Sequence, residues 1–361
     1  MSFARAWGSD ARRIRARGIR GQHHPARLAA VAAGLSRRCI RRVWLGRTTF
    51  RTHYIRATVT EPQPERPQSA ASAARRGTDD PNVFLIPTDA LPPGFADRVR
   101  AGGFTAAAPR PSATVLLVRD SEDGPEVLLL RRHGRSGFAA GAWVFPGGVV
   151  DGGDRDLALV ERMDGPTPMQ WAERLGVNDP AEAVAFVLAA VREAFEETGI
   201  LLARLSDDAT NPGGREGLEI ARRALLADVV DLRQVIVTRS LRIAADALLY
   251  VAHWITPEPE PRRYDTRFFL ARVGTDAVCT PHEEELAESV WLTARGALHF
   301  FESGSLQMLP PTVHTLRRLA GFGSVDEIFG ALTDAPVPAI MPVMRVVPDG
   351  VTIELPEEER G

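Results

Sequence analysis

The sequence predicts an α/β fold, an α/β/α sandwich in which a mixed β-sheet lies between layers of helices. Two observations carry that reading. β-rich runs and helical segments alternate from about residue 83 onward. Residues 142–199 then run as strand, glycine-bearing loop and long helix, with an acidic motif closing the helix.

In chain order, residues 83–86 suit a short strand, and Pro87, Pro92 and Pro93 interrupt any regular element after it. Residues 113–119 and 126–132 are β-rich, and Asp120-Ser121-Glu122-Asp123-Gly124 joins them as a hairpin. Residues 142–145 read as a strand that delivers the chain to Pro146-Gly147-Gly148, and residues 168–175 as a short amphipathic helix. The long helix follows: Asp179 caps it, Pro180 suits its first position, Glu182 completes a capping box, and Gly199 supplies the left-handed residue that ends it. Residues 214–241 read as one or two helices. Residues 247–255 and 267–273 read as strands flanking a proline-rich loop, residues 288–292 as a strand and 294–302 as a helix. Residues 313–322 and 325–332 suggest two further helices, and 340–347 with 351–355 a closing hairpin.

The chain has 361 residues, enough for one large domain with appendages or for two domains. All 44 basic residues are arginine, which reflects a GC-rich genome more readily than a function. Residues 1–58 hold 14 arginines and one acidic residue, Asp10, so that segment carries +13 and the rest −15. Residues 1–82 are therefore expected to be a disordered Arg-rich extension and linker ahead of a catalytic domain at 83–361. A nucleic-acid arm or an organelle targeting signal is the alternative for this extension. The acidic remainder argues against a broad nucleic-acid surface, and no apolar run is long enough for a membrane span. Cys39 and Cys279 lie far apart in no metal-like spacing, which suits a reducing cytoplasm. A homodimer is left open.

The sharpest signal is Arg192-Glu193-Ala194-Phe195-Glu196-Glu197-Thr198-Gly199. Val184, Val187, Leu188, Val191 and Phe195 share one side of the helix, while Glu193, Glu196 and Glu197 fall on the opposite side with Arg192 at its edge. Carboxylates three and four residues apart repel one another, and a hard divalent cation reverses the sign. A solvated acidic face is the plainer reading of such a cluster; the paired glycines upstream weigh against it.

Gly148, Asp154 and the run from Arg192 to Ile200 together resemble the Nudix box. The second half matches at every specified position, with Ala194 and Ile200 in the hydrophobic slots. Asp154 stands where the family usually has Glu, and residues 155–191 replace a far shorter spacer, so that residues 155–178 form an insertion. The likeness extends over roughly residues 110–330 and is to the peroxisomal coenzyme A diphosphatase type. It is carried by Ser136-Gly137-Phe138, by Gly141-Ala142-Trp143-Val144-Phe145, by His253-Trp254-Ile255-Thr256-Pro257, by the segment from Arg262 to Leu270, and by Leu309-Pro310-Pro311. Glu358-Glu359-Arg360-Gly361 does not resemble a peroxisomal signal, so a bacterial cytoplasmic location is expected.

The resemblance implies an α/β/α fold and a diphosphatase acting on a nucleoside diphosphate derivative: coenzyme A or acyl-CoA, with ADP-ribose or NADH hydrolysis and non-catalytic nucleotide sensing as alternatives. It implies that Glu193, Glu196 and Glu197 hold Mg²⁺ or Mn²⁺, that a backbone carbonyl at Gly147 or Gly148 completes the ligands, and that Arg192 orients the carboxylates. Glu285 and Glu288 are candidates for the general base. Arg131, Arg132, Arg262 and Arg263 are candidates for gripping phosphate, each with a surface salt bridge as the plainer alternative. His253 and Trp254, on an apolar strand, read as core.

Overall fold

The computed structural model describes residues 75–76, 80–103, 105–134, 140–206 and 214–357. The expectations for residues 1–74, for Ser136-Gly137-Phe138 and for the last four residues lie outside the described residues. Arg75–Arg76, inside the stretch read as linker, pair with Phe84 and Leu85 of the next strand. No helix among the described residues is long and apolar enough to cross a membrane.

The fold is a mixed sheet between two helical layers, as the alternation of elements predicts. Strand Arg110–Ser121 is central to it, with both faces buried. Its apolar run divides by alternation: Ala113, Val115 and Leu117 join the core under the acidic helix, and Leu116 and Val118 join the core on the opposite face. It turns at Glu122-Asp123 into Gly124–Arg132, and Gly124 takes a φ of 104° that favours glycine. The order across the sheet is Leu286–Thr293, Gly124–Arg132, Arg110–Ser121, Tyr264–Arg272, Leu248–Ile255 and Ala339–Ile340. The pairs made by Tyr264–Arg272 with Arg110–Ser121, and by Leu248–Ile255 with Ala339–Ile340, are parallel, which makes the sheet mixed. Two short strands complete it: Trp143–Val144 on Gly124–Arg132, and Gly147–Val149 on Arg110–Ser121.

Helix Pro180–Thr198 covers one face. Asp179 caps it by accepting from the Ala181 N–H at 2.9 Å, without the capping box expected with Glu182; Gly199 ends it at φ 75°. The expected insertion does contain helix Pro168–Leu175, started by a capping box between Thr167 and Gln170 and ended at Gly176. Its Trp171 is fully buried, edge-on to Phe269 at 6.0 Å. The insertion also contributes Met163–Asp164 to a three-stranded sheet with Leu241–Ala244 and Ala203–Leu205, strands too short to show a period in the sequence. With this cover, helix Pro180–Thr198 is buried almost all round from Ala183 to Arg192, not only on its apolar arc.

Helices Ala294–Glu302, Pro310–Leu319 and Val325–Leu332 form the opposite layer. Beside them lies a four-stranded antiparallel sheet in which Val83–Pro87 pairs with Gly350–Glu354, the second strand of the closing hairpin, and Val343–Val347 is its first. The two ends of the described domain are thus hydrogen-bonded to each other. Phe84 is 1% exposed, lies opposite Ile353 and packs on Phe301 with ring centroids 6.4 Å apart. Phe84→Ala is expected to cost about 3–5 kcal/mol in denaturant unfolding. A loss below about 1 kcal/mol would show that this strand is not part of the core.

Candidate active site

Strand Gly147–Val149 sets the site by lying antiparallel to residues 112–114, directly in front of the C-terminal half of helix Pro180–Thr198. The flanking bonds, Val115 N–H to Pro146 O and Val150 N–H to Pro111 O, put Gly148 in the hydrogen-bonded register. Gly147 falls in the other register, so the ladder does not use its polar groups, and its N–H donates to Glu197 Oε2 at 3.0 Å. A side chain is excluded at both glycines. A Cβ on Gly148 would lie 2.1 Å from Glu193 Oε1, and one on Gly147 would lie 2.6 Å from the Ala113 carbonyl oxygen. The paired glycines therefore admit a carboxylate and a neighbouring strand.

Arg192 holds the carboxylates. Its Nε and one terminal nitrogen donate to the two oxygens of Asp154 at 2.9 Å each, a two-pronged bond. The same terminal nitrogen donates to the Val149 carbonyl at 3.0 Å, and the other donates to Glu193 Oε1 at 2.8 Å and Glu196 Oε2 at 2.9 Å. All five guanidinium N–H groups are used. Asp154, 1% exposed, occupies the position where the sequence departs from the box with the shorter acid, and it still reaches the guanidinium.

Burial dominates the electrostatics. It raises Glu193 to about 7 against the pull of Arg192. It raises Glu196 and Asp154 against the same arginine, and it lifts the fully enclosed Glu197 well above the usual carboxylate range, with the charge of Glu193 adding to the rise. Desolvation works against the charge on Arg192 as well, but Asp154, Glu193 and Glu196 outweigh it and keep the guanidinium protonated. Among the described residues, the cations acting on Asp151, Asp154, Glu193, Glu196 and Glu197 are Arg192 and Arg132. Among the described residues, Glu193, Glu196 and Glu197 each keep one carboxylate oxygen with no hydrogen bond.

This surplus of buried hard oxygen donors fits a divalent cation in kind. Among the described residues no three acidic, His or Cys side chains converge on one point. Mg²⁺ commonly takes one or two carboxylates and completes its shell with water and substrate phosphate, so two converging side chains suffice. Gly147 fits better than Gly148 as a carbonyl ligand, because the ladder leaves its carbonyl unused.

The carboxylates close one end of a cavity of about 460 Å³. Arg132 and Glu285 share that end, and Arg132 Nε is buried with no hydrogen-bond partner. The other expected residues are not brought to the cavity. Arg131 and Glu288 bind each other at 2.9 Å across paired strands, so neither serves there as phosphate grip or base. Arg262 is exposed outside the cavity. Arg263 is a structural tie: it donates to the carbonyls of Thr256 and Ala107 at 2.9 Å each and contacts Met341 Sδ. Strand alternation is the reason, since Tyr264, Thr266 and Phe268 face the cavity and the residues between them do not. His253 binds Asp265 at 2.6 Å, with Arg267 against both, away from the cavity. Trp254 is buried, as its apolar strand implies, and also lines the cavity.

Two supports are absent from any motif. Arg222, 2% exposed, donates twice to the Glu196 carbonyl, at 3.0 and 2.8 Å. The Thr280 and His282 N–H groups donate to the carbonyls of Thr198 and Glu197 at 2.8 and 3.1 Å. Together they satisfy the last carbonyls of the helix, which have no partner within it.

Comparison with known proteins identifies the family. The family model for the NUDT19 Nudix domain matches residues 98–319. The acyl-coenzyme A diphosphatase NUDT19 of Homo sapiens is 30% identical over 271 residues, covering 66% of this chain and 72% of its own. The chain belongs to the Nudix hydrolase family. Its NUDT19 type is supported by the Xenopus laevis protein of the same name, 27% identical over 272 residues and covering 65% of this chain and 70% of its own. A solved NUDIX hydrolase from Alicyclobacillus acidocaldarius is 27% identical, covers 64% of this chain and 100% of its own, and superposes with a TM-score of 0.49.

A pH dependence follows for this Nudix hydrolase. The folded-state pKa of Glu193 lies above its ordinary value of 4.5, at about 7, so the folded protein binds more protons than the unfolded chain between those values. This group's contribution to stability is present below pH 4.5 and is lost as pH rises through 7. With a chelator present, Glu193→Gln is expected to melt higher than wild type at pH 8 and to match it at pH 4. A variant that is no more stable at pH 8 would contradict the burial of this charge.

Proposed function

We propose that this Nudix hydrolase cleaves the diphosphate of coenzyme A or acyl-CoA, giving 3′,5′-ADP and 4′-phosphopantetheine or its acylated form. Mg²⁺ or Mn²⁺ would draw its carboxylate ligands from among Glu193, Glu196 and Glu197, with the Gly147 carbonyl, water and substrate phosphate completing its shell. The observation that carries this reading is the make-up of the cavity beside the acidic helix: carboxylates and Arg132 at one end, and Trp254, Phe268, Pro310 and Pro311 along its walls. Such a cavity suits a diphosphate joined to a largely apolar arm. The names of the human and frog relatives support the same substrate class.

The residues of the chain divide the work. Arg192 fixes the rotamers of Glu193 and Glu196, so their remaining oxygens stay aimed without reorganisation. Arg132, with Nε unpartnered and a guanidinium on the cavity wall, binds the diphosphate oxygens. Glu285 lines the cavity near enough to raise Glu197, and it takes the proton from the attacking water. The bound cation supplies charge neutralisation at phosphorus and a more acidic water. Attack on one phosphorus breaks its bond to the bridging oxygen, and each product leaves with a terminal phosphate.

Chromatographic product analysis tests the substrate. With Mg²⁺ or Mn²⁺, coenzyme A and its esters are expected to yield 3′,5′-ADP. Rapid cleavage of ADP-ribose or NADH with coenzyme A left intact would refute the assignment and keep the diphosphatase.

Variants test the roles. Glu196→Gln and Glu197→Gln are expected to remove most turnover without unfolding the protein, and near-wild-type rates in both at saturating metal would remove these residues from the metal site. Glu285→Gln is expected to lower kcat on the order of a hundredfold with KM little changed. A kcat within a few fold of wild type would exclude Glu285 as base.

A further inference from the structure

The far end of the cavity is not built by the part of the chain that the family model matches. Pro342, Met344 and Ile353 line it, and all three lie beyond residue 319. Met344 and Ile353 are directly opposite each other in the closing hairpin, so their side chains stand together on one face of the four-stranded sheet. Phe84, opposite Ile353 on its other side, continues the same row into the core. The row is rigid at Phe84 and reaches the cavity only at Ile353 and Met344. Both are nearly buried, at 3% and 8% exposure, so what little surface they keep belongs to the cavity wall.

The chemistry of this wall selects among the parts of a diphosphate substrate. It is aliphatic where the hairpin supplies it: a proline ring, a thioether chain and a branched alkyl group. A purine asks for ring faces and for hydrogen-bond partners at its edge, and these three side chains provide neither. A flexible alkyl chain asks only for apolar contact, and methionine adapts to chains of different shape. The strands that line the cavity run in sheet order from Gly124–Arg132, which ends at Arg132, to Ala339–Ile340, which leads into Pro342, and this order sets the direction of a bound substrate: phosphate at the helix, apolar tail at the hairpin.

We infer that the closing hairpin receives the acyl end of the substrate, and that Met344 and Ile353 set which acyl-chain lengths this enzyme prefers. This rests on the coenzyme A reading above and adds to it the element that reads the chain. Transfer of each methylene from water to such a wall favours binding by roughly fourfold, so a few methylenes suffice for a large preference.

The experiment compares kcat/KM for palmitoyl-CoA and acetyl-CoA, with Mg²⁺, in the full-length protein. Wild type is expected to favour the longer ester by at least tenfold. Met344→Phe narrows the far end and is expected to lower that ratio at least tenfold. Met344→Gln keeps the length of the side chain but makes it polar; it is expected to lower the ratio too, and it serves if the bulkier variant does not fold. A ratio unchanged in the folded variants, with coenzyme A esters still cleaved, overturns the role of the hairpin and leaves the coenzyme A reading intact. Weakened inhibition by 3′,5′-ADP in Met344→Phe, with the chain-length ratio unchanged, would place the base at the hairpin and overturn the inference. Absence of cleavage of any coenzyme A ester by wild type would defeat both readings.

Discussion

The guanidinium of Arg192 is the interaction on which the site depends. Three carboxylates within one helical turn and a half repel one another, and burial makes each more costly to ionise. One planar cation with five fixed donors answers Glu193 and Glu196 directly, takes Asp154 in a two-pronged bond and ties in the backbone at Val149. The bonds therefore join three separate pieces of sequence: the glycine strand, the start of the insertion and the helix. An ammonium group could not span them, having three donors around a single nitrogen. The cost of burying these charges is not fully offset within the protein, and the cluster keeps a residual negative charge.

The C-terminus of the same helix is secured by a different device. Its last carbonyls point away from the cavity and carry the negative end of the helix dipole. Arg222 and two backbone N–H groups from the segment leading to Glu285 satisfy them. That segment therefore reaches the cavity by being hydrogen-bonded to the helix that carries the carboxylates. Glu285 is placed relative to Glu197 by backbone bonds, whatever its own exposed side chain does. Arg222 acts by positioning, since it meets the main chain of Glu196 and not the cavity.

What the sequence showed divides along the same lines. The helix, its caps and the acidic triplet were legible because a period of 3.6 and a terminal glycine leave marks in the chain order. The hairpin at Gly124, helix Pro168–Leu175 and the closing hairpin were legible for similar local reasons. Pairings between distant segments were not. Nothing local says that Val83–Pro87 meets Gly350–Glu354, or that Met163–Asp164 joins Leu241–Ala244. The arginine candidates failed for a related reason. Charge suggested Arg131, Arg262 and Arg263 equally with Arg132, but pairing with Glu288 engages Arg131, alternation turns Arg263 away, and Arg262 lies in the exposed loop before the strand. For Tyr264, Thr266 and Phe268 a signal was present, because they sit two apart on one strand; their chemistry drew less notice than the charged residues between them.

The cavity joins two kinds of structure with different dependencies. Its carboxylate end is built largely from the box, where Asp154, Glu193 and Glu196 are tied to one another through Arg192, and Glu197 to the Gly147 N–H. Its far end comes from a hairpin held by the strand at residues 83–87 and by the helical layer on the opposite face of the sheet. Among the described residues, those contacts share no hydrogen bond with the Arg192 network. Substitutions in separate networks combine nearly additively, whereas substitutions within one network do not. A substitution in the hairpin therefore leaves the carboxylates, Arg192 and Asp154 in their geometry, and the two ends of the cavity are free to vary independently.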